Sequence, residues 1–158
     1  MSNTMRWRYG ETNPVMLPVQ PGLPIEIGDL VYLESGNVIS AANQSDQGTP
    51  AANQQAFHDK FVGVAMQCSM GESGESIRIA TSGVFEFASV AAAYEVGDLV
   101  GGSEDSVGGH LQSQVVEGVG AENLALGRCV KQVATGSTKV LVDIVSTVVR
   151  GGPQAAAA

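Results

Sequence analysis

Few side chains in this sequence could perform catalysis, and none of them is accompanied by a complete motif. His58 and His110 fall in segments predicted to be loops, where a solvated histidine is far more common than a general base. Ser69 could serve as a nucleophile with Lys131 or Lys139 as its base, as in Ser-Lys peptidases on related β folds. The residues around Ser69 supply no further part of that motif, so a Ser-Lys hydrolase remains an alternative only.

Two other patterns resemble functional motifs, but each is better explained by a structural role. The segment Gly71–Ser76 resembles a phosphate-binding loop, but it lacks the lysine of that motif, and Glu72 and Glu75 would repel phosphate. It is therefore predicted to be a β-hairpin turn. Cys68 and Cys129 have neither a CxxC neighbour nor a histidine at metal-ligand spacing, and both are predicted to be buried free thiols. The sequence thus predicts no catalytic residue, no cofactor and no metal site.

The strongest binding signal lies near the N-terminus. Arg6-Trp7-Arg8-Tyr9 contains two cations and the only Trp, and no acid precedes Glu11. Trp, Tyr and Arg are enriched at binding hot spots. Four of the six prolines follow, and proline fixes φ and removes a backbone donor. We therefore predict that residues 1–24 form an extended, polyproline-like arm that binds a partner. Its predicted site residues are Arg6, Trp7, Arg8, Tyr9, Pro14, Pro18, Pro21 and Pro24.

Composition narrows the classes of partner. Sixteen acids against eight bases give a formal net charge of −8, which argues against nucleic acid as a partner. No apolar run approaches the roughly 20 residues of a membrane-spanning helix. No apolar stretch follows the N-terminal cations, so no secretory signal is expected and synthesis in the cytoplasm is predicted. Charged residues make up only 15% of the chain, which favours a surface that packs against other protein.

An internal duplication organises the remaining sequence. Ile25–Tyr32 recurs as Tyr94–Gly101, and Phe61–Ala65 with Ile77–Ala80 recurs as Ala125–Cys129 with Val140–Ile144. Short apolar strands separated by Gly-rich turns predict an all-β fold, a small barrel or sandwich. We expect one β domain over residues 25–149, built from two repeated units at about 25–87 and 94–149. The repeated Gly-Asp turn is interpreted as scaffold.

Three segments do not fit the strand pattern. Ala41–Gln55 is polar and lacks a periodic apolar face, so it is predicted to be a long surface loop. Ala88–Glu95 is predicted to form a short helical turn between the two units. Residues 150–158 have low complexity and are predicted to be a disordered tail.

The order of these motifs resembles one known family. Gly28-Asp29-Leu30-Val31 is followed by Phe61–Ala65, Gly74–Phe87, Ala91–Ala93, a second Gly-Asp-Leu-Val and a closing block from Leu126 to Val142. Over Ile25 to Ile144 this order resembles the capsid cement, or head decoration, family of tailed bacteriophages.

The resemblance implies a non-enzymatic virion protein on the outer capsid surface. Such a protein binds the assembled major capsid protein, commonly as a homotrimer, and stabilises the shell, and the family has no catalytic residue to transfer. This chain departs from the family pattern in its long Pro-rich arm and in Ala41–Gln55. A tail or fibre component of the virion is a further alternative.

Overall fold

The structure is a computed structural model that describes residues 3–151, and the predicted all-β class is confirmed. Helical structure in this range consists of two α-helices and two short 3-10 turns, Ala41–Asn43 and Glu122–Leu124. The strands are β1 (Trp7–Tyr9), β2 (Val15–Pro18), β3 (Leu30–Glu34), β4 (Asn37–Ser40), β5 (Phe61–Ala65), β6 (Ser76–Ala80), β7 (Ser82–Tyr94), β8 (Leu99–Glu104), β9 (Leu111–Gly118), β10 (Gly127–Cys129) and β11 (Val133–Val145), and the helices are α1 (Pro50–Lys60) and α2 (Thr147–Arg150).

The strands form two small barrels of the same topology. In the five-stranded sheet the order is β2-β6-β5-β3-β4, and Val19, directly after β2, bridges in parallel to Val38 of β4. We call this sheet barrel one. In the larger sheet the order is β7-β11-β10-β8-β9, with β1 added to β7, and β9 pairs back in parallel onto β7. We call this sheet barrel two. One parallel contact therefore closes each ring. It joins the end of β2 to β4 in barrel one and the corresponding strands β7 and β9 in barrel two.

Strand register matches the sequence duplication residue by residue. Val31 pairs with Gly63 in barrel one, and the repeated residues Val100 and Gly127 pair in barrel two. The two Gly-Asp turns also fold alike. The Asp29 carboxylate accepts a hydrogen bond from the Glu26 amide at 3.0 Å, as Asp98 does from Glu95 at 2.9 Å. The repeat is thus a duplicated structural unit.

The barrels share their main hydrophobic core. Leu30, Phe61 and Val64 of barrel one pack in the same cluster as Phe85 and Val142 of barrel two. A second, smaller core fills barrel one and includes Val31, Val62 and Ile77. Successive residues of β3 and β5 therefore point into different cores, which explains why these strands are apolar at nearly every position.

The segment predicted as a surface loop contains a helix that packs between the barrels. Thr49 caps α1 by accepting a hydrogen bond from Ala52 N at 3.1 Å, and Pro50 occupies its first turn. The buried face of α1 comprises Asn53, Gln54, Phe57 and His58. Three of these four residues are polar, so the helical period carries no apolar signal. His58 is 3% exposed rather than solvated.

Two further segments, Ala88–Glu95 and residues 1–24, fold differently from the sequence prediction. Ala88–Glu95 does not form a helical turn, because β7 continues to Tyr94 as part of barrel two. Residues 1–24 are extended, but the chain forms β-structure where a polyproline-like arm was expected. β2 pairs with β6 as a strand of barrel one, and β1 pairs with β7. Pro18 is tolerated because it ends β2. Most of the predicted tail, residues 152–158, lies outside the described residues.

Candidate binding surface on the N-terminal arm

The predicted tip of the arm is fixed to barrel two and presents apolar side chains outwards. β1 pairs antiparallel with β7, with Trp7 opposite Phe85. Met5, Trp7 and Tyr9 are 47%, 40% and 52% exposed. We call these three residues the aromatic stripe, after Trp7 and Tyr9. The Trp7 indole N–H donates to the Gly10 carbonyl at 3.0 Å, so the exposed part of the ring is its apolar surface.

Arg6 faces inwards and holds the arm to the body. Its Nε and Nη2 donate to Oε1 of Gln114 at 3.0 and 2.8 Å, and its Nη1 donates to the Glu86 carbonyl at 3.1 Å. The guanidinium also lies 5.9 Å from the centre of the Phe87 ring. Burial, followed by the neighbouring charge of Arg8, lowers the pKa of Arg6. Arg6 is thus a positioning residue whose cation is occupied within the chain.

A buried polar chain connects Arg6 to the first Gly-Asp turn. Gln114 is fully buried, and its Nε2 donates to Asp29 Oδ1 at 2.9 Å. Burial raises the pKa of Asp29, while its hydrogen bonds from Gln114 and Glu26 act in the opposite direction. The Thr4 amide donates to the Ile27 carbonyl at 2.9 Å. Because Gln114 belongs to barrel two and Asp29 to barrel one, the arm is fixed at the junction of the barrels.

Arg8 covers the free edge of the arm. Its Nη2 forms an ion pair with Glu86 at 3.1 Å, and its Nη1 donates to the carbonyls of Met5 and Trp7, both at 3.2 Å. The Arg6 carbonyl accepts from the Glu86 amide and so faces β7. Since carbonyls alternate along a strand, those of Met5 and Trp7 face the open edge. Arg8 therefore hinders strand addition there and leaves the aromatic stripe as the contact surface.

The predicted prolines do not join this surface. Pro14, Pro18, Pro21 and Pro24 are exposed along β2 and the turn that follows it, on barrel one, whereas the tip lies on β7 of barrel two. The residues that sequence reasoning missed are Gln114 and Glu86. Neither carries a sequence signal, because each is a single polar residue within a strand pattern.

Side chains considered for catalysis are engaged elsewhere. Ser69 is 4% exposed, and its Oγ accepts a hydrogen bond from the Gly71 amide at 3.0 Å within the turn. Lys131 and Lys139 are exposed in barrel two, and neither is bonded to Ser69. His58 Nδ1 donates to the Ala125 carbonyl at 2.7 Å.

The two cysteines differ in exposure. Cys129 is buried as predicted, and burial raises the pKa of its thiol, whereas Cys68 is exposed, contrary to the prediction. Within residues 3–151, no group of three or more His, Cys, Asp or Glu side chains is arranged to hold a metal ion. No helix in the same range has the length and apolar character needed to cross a membrane.

Comparison with known proteins gives one structural likeness. No protein-family model matches the chain, and no curated protein matches it. Among solved structures, the N base of the head fiber gp8.5 of bacteriophage phi29 is similar, with a TM-score of 0.41 and 12% sequence identity. The match covers 83% of this chain and 93% of that chain. At that identity and TM-score, the likeness carries no argument about function.

Proposed function

We propose that this chain is a virion structural protein that decorates the outer surface of a bacteriophage capsid. It binds the assembled major capsid protein, associates with further copies of itself as a homotrimer, and stabilises the shell. The observation that carries the proposal is the aromatic stripe, held on a β-strand by the internal contacts of Arg6 and Arg8. The order of sequence motifs supports the capsid as partner.

The stripe favours docking for a physical reason. Neighbouring exposed apolar side chains are stabilised when a partner covers them. A segment already fixed by hydrogen bonds loses little conformational entropy on binding. Both arginines are engaged within the chain, so we expect an apolar groove on the capsid, with no requirement for an acidic patch. Repetition of this contact over a symmetric shell adds by multivalency, and preferential binding to the assembled shell stabilises that state.

We propose no enzymatic activity for the chain. The Ser-Lys alternative requires a serine beside a buried lysine. Ser69 instead stabilises a turn through its hydroxyl, and Lys131 and Lys139 are exposed.

Point substitutions on the stripe test the proposal. Empty shells assembled from a major capsid protein encoded in the same genome as this chain are mixed with the full-length protein, and bound protein is measured by cosedimentation. We expect Trp7→Ala with Tyr9→Ala to weaken binding by about 30-fold, the effect of losing a binding hot spot. Met70→Ala is the matched control, because Met70 is 78% exposed on a different loop. Deleting Met1–Pro24 is unsuitable, since it would remove β2 from barrel one.

Three results would contradict the proposal. One is unchanged shell binding by the double variant while its fold is intact. Another is the absence of any capsid gene beside this one. The third is cryo-electron microscopy density for this chain on the tail of the native particle, which would favour the tail or fibre alternative.

A further inference from the structure

The C-terminal end of β7 and the N-terminal end of β11 form a two-stranded ribbon with open edges. β1 and then β9 pair with β7 on its edge opposite β11, but only as far as Ser89. On β11, β10 pairs only with residues 142–144. Among residues 3–151, no strand pairs with the outer edge of Val90–Ala93 or with that of Ala134–Thr138. We call these the β7 edge and the β11 edge.

These edges lack most of the protection seen elsewhere in the molecule. Arg8 covers the edge of β1, and the Val19–Val38 contact closes barrel one. The ribbon edges, by contrast, contain only Val, Ala, Thr, Gly and Ser, without proline or charge. Register irregularities in the β11 edge are the one protective feature. Open neutral edges of this kind are templates for pairing with another chain.

A groove beside the β7 edge contains a buried polar group that lacks a partner. The groove has a volume of 440 Å³ and runs between Val90–Tyr94 and Glu117–Val119, where β7 and β9 diverge. Tyr94 lines it and is 2% exposed, and its hydroxyl has no hydrogen-bond partner among the described residues. Ser89 and the Gly118 backbone lie close enough to lower the pKa of Tyr94 by weak hydrogen bonding, against the larger effect of burial, but neither has the geometry of a full hydrogen bond to the hydroxyl. An unpaired buried hydroxyl is costly, so an incoming polar chain would be stabilised here.

We propose that the β7 edge binds the β11 edge of a second copy of this chain. Ala134–Thr138 is a strand of small residues, and the hydroxyl groups of Thr135 and Thr138 can supply the bond that Tyr94 lacks. Lys131 and Lys139 flank this strand, and both are exposed without an ion pair within residues 3–151. The groove is lined by the acids Glu117 and Asp98. Strand and groove are thus complementary in size, hydrogen bonding and charge.

This interface rests on the proposed function, which includes self-association but assigns no surface to it. The two edges lie on opposite sides of one ribbon, so each copy can give one edge and receive the other. A head-to-tail contact of this kind closes into a ring when the rotation permits. In a chain with a net charge of −8, a largely neutral ribbon also limits repulsion between copies.

Edge variants test the interface by complementation. Ala93→Glu places an acid in the acidic groove, Thr135→Glu places one on the β11 edge, and Val148→Glu on exposed α2 is the control. Molar mass is measured by size-exclusion chromatography with light scattering at high micromolar concentration, and folding by circular dichroism. We expect the wild type and the control to be oligomeric and each edge variant to associate at least about tenfold more weakly. Mixing the two edge variants should restore a dimer, because each retains the edge that the other has lost.

A monomeric wild type, edge variants that assemble normally, or a mixture that stays monomeric would each overturn the proposal. Failure here is distinguishable from failure of the proposed function. Protein that assembles through these edges but does not bind shells contradicts only the capsid role. Trp7→Ala with Tyr9→Ala should leave the molar mass unchanged.

Discussion

At the scale of single residues, Gly63 and Gly127 show why the repeated sequence keeps glycine at one position of each barrel. A Cβ atom on Gly63 would fall against the carbonyl oxygen of Ala80, and one on Gly127 against that of Asp143. Both obstacles are backbone atoms of the neighbouring strand, which cannot move aside without disturbing the sheet. Close backbone approach therefore requires glycine at these positions.

Gly63→Ala should destabilise the protein by about 1–3 kcal/mol, the range of overpacked core substitutions. Gly120→Ala is the matched control, because nothing lies within 4 Å of the position of its Cβ. Urea unfolding gives the free energies. Equal stabilities for the two variants would show that the strands can separate without loss and would contradict this account.

Residue patterns predict local structure better than they predict contacts between residues distant in sequence. The repeated Gly-Asp predicts a turn, and both copies form that turn. The two copies nevertheless differ in their surroundings. Arg6 and Gln114 lie over the first turn, each 3.3 Å from the Cβ position of Gly28, whereas nothing lies within 4 Å of the equivalent position at Gly97. Contacts between residues so distant in sequence leave no periodic signal, so the cover over Asp29 could not be predicted.

At the scale of elements, alternating apolar residues predict most strands, but they do not predict α1, whose buried face is mostly polar. The buried face of α1 bonds to barrel two through amide and imidazole groups. Gln54 Nε2 donates to the Gly102 carbonyl at 2.9 Å and to Glu117 at 3.2 Å. Apolar periodicity is the main signal for helices, and here hydrogen-bonding side chains replace it. The sequence also predicts too short a β7, because Ala-rich residues 91–93 suit a helix in isolation.

Gln54→Ala should lower the free energy of unfolding by about 1–3 kcal/mol, since it leaves buried acceptors on barrel two without their donor. Its neighbour Gln55 is exposed on the same helix, and Gln55→Ala should change stability by less than about 0.5 kcal/mol. Urea unfolding of the two variants in parallel provides the comparison. If both substitutions have the same small effect, α1 is not anchored through this amide.

At the scale of the whole molecule, duplication places one topology in two environments. Barrel one is filled on both sides of its strands, by its own core and by the shared core. Barrel two carries the open ribbon of β7 and β11 and also the arm. The sequence repeat predicted equivalent strands, but it could not predict which copy would expose its edges, because that depends on how the copies pack together. The surfaces proposed for binding lie where the two copies differ.

Stability of the whole molecule should increase as the pH falls from neutrality towards the ordinary carboxyl pKa values of 3.8 and 4.5. Burial raises the pKa values of Asp29 and Glu117, with the neighbouring charge of Glu104 adding to the shift at Glu117. When the folded pKa of an acid exceeds its unfolded value, the native state binds more protons, so stability is lost as the pH rises between the two values. For these residues that window begins near the ordinary values of 3.8 and 4.5 and extends upwards. Asp46 acts in the opposite direction, because hydrogen bonds from Gly48 and Asn53 lower its pKa, but its effect belongs to more acidic solutions.

Urea unfolding across this pH range measures the effect directly. Glu117→Gln should flatten the dependence, because the glutamine oxygen can still accept the hydrogen bond from Gln54 while the buried charge is removed. Asp105→Asn in the exposed loop between β8 and β9 is the control, since it changes net charge equally. Stability that rises with pH, or an equal change of slope in both variants, would show that surface charge rather than buried carboxylates governs the response. A flattened slope in Glu117→Gln alone would identify the burial of Glu117 as its main source.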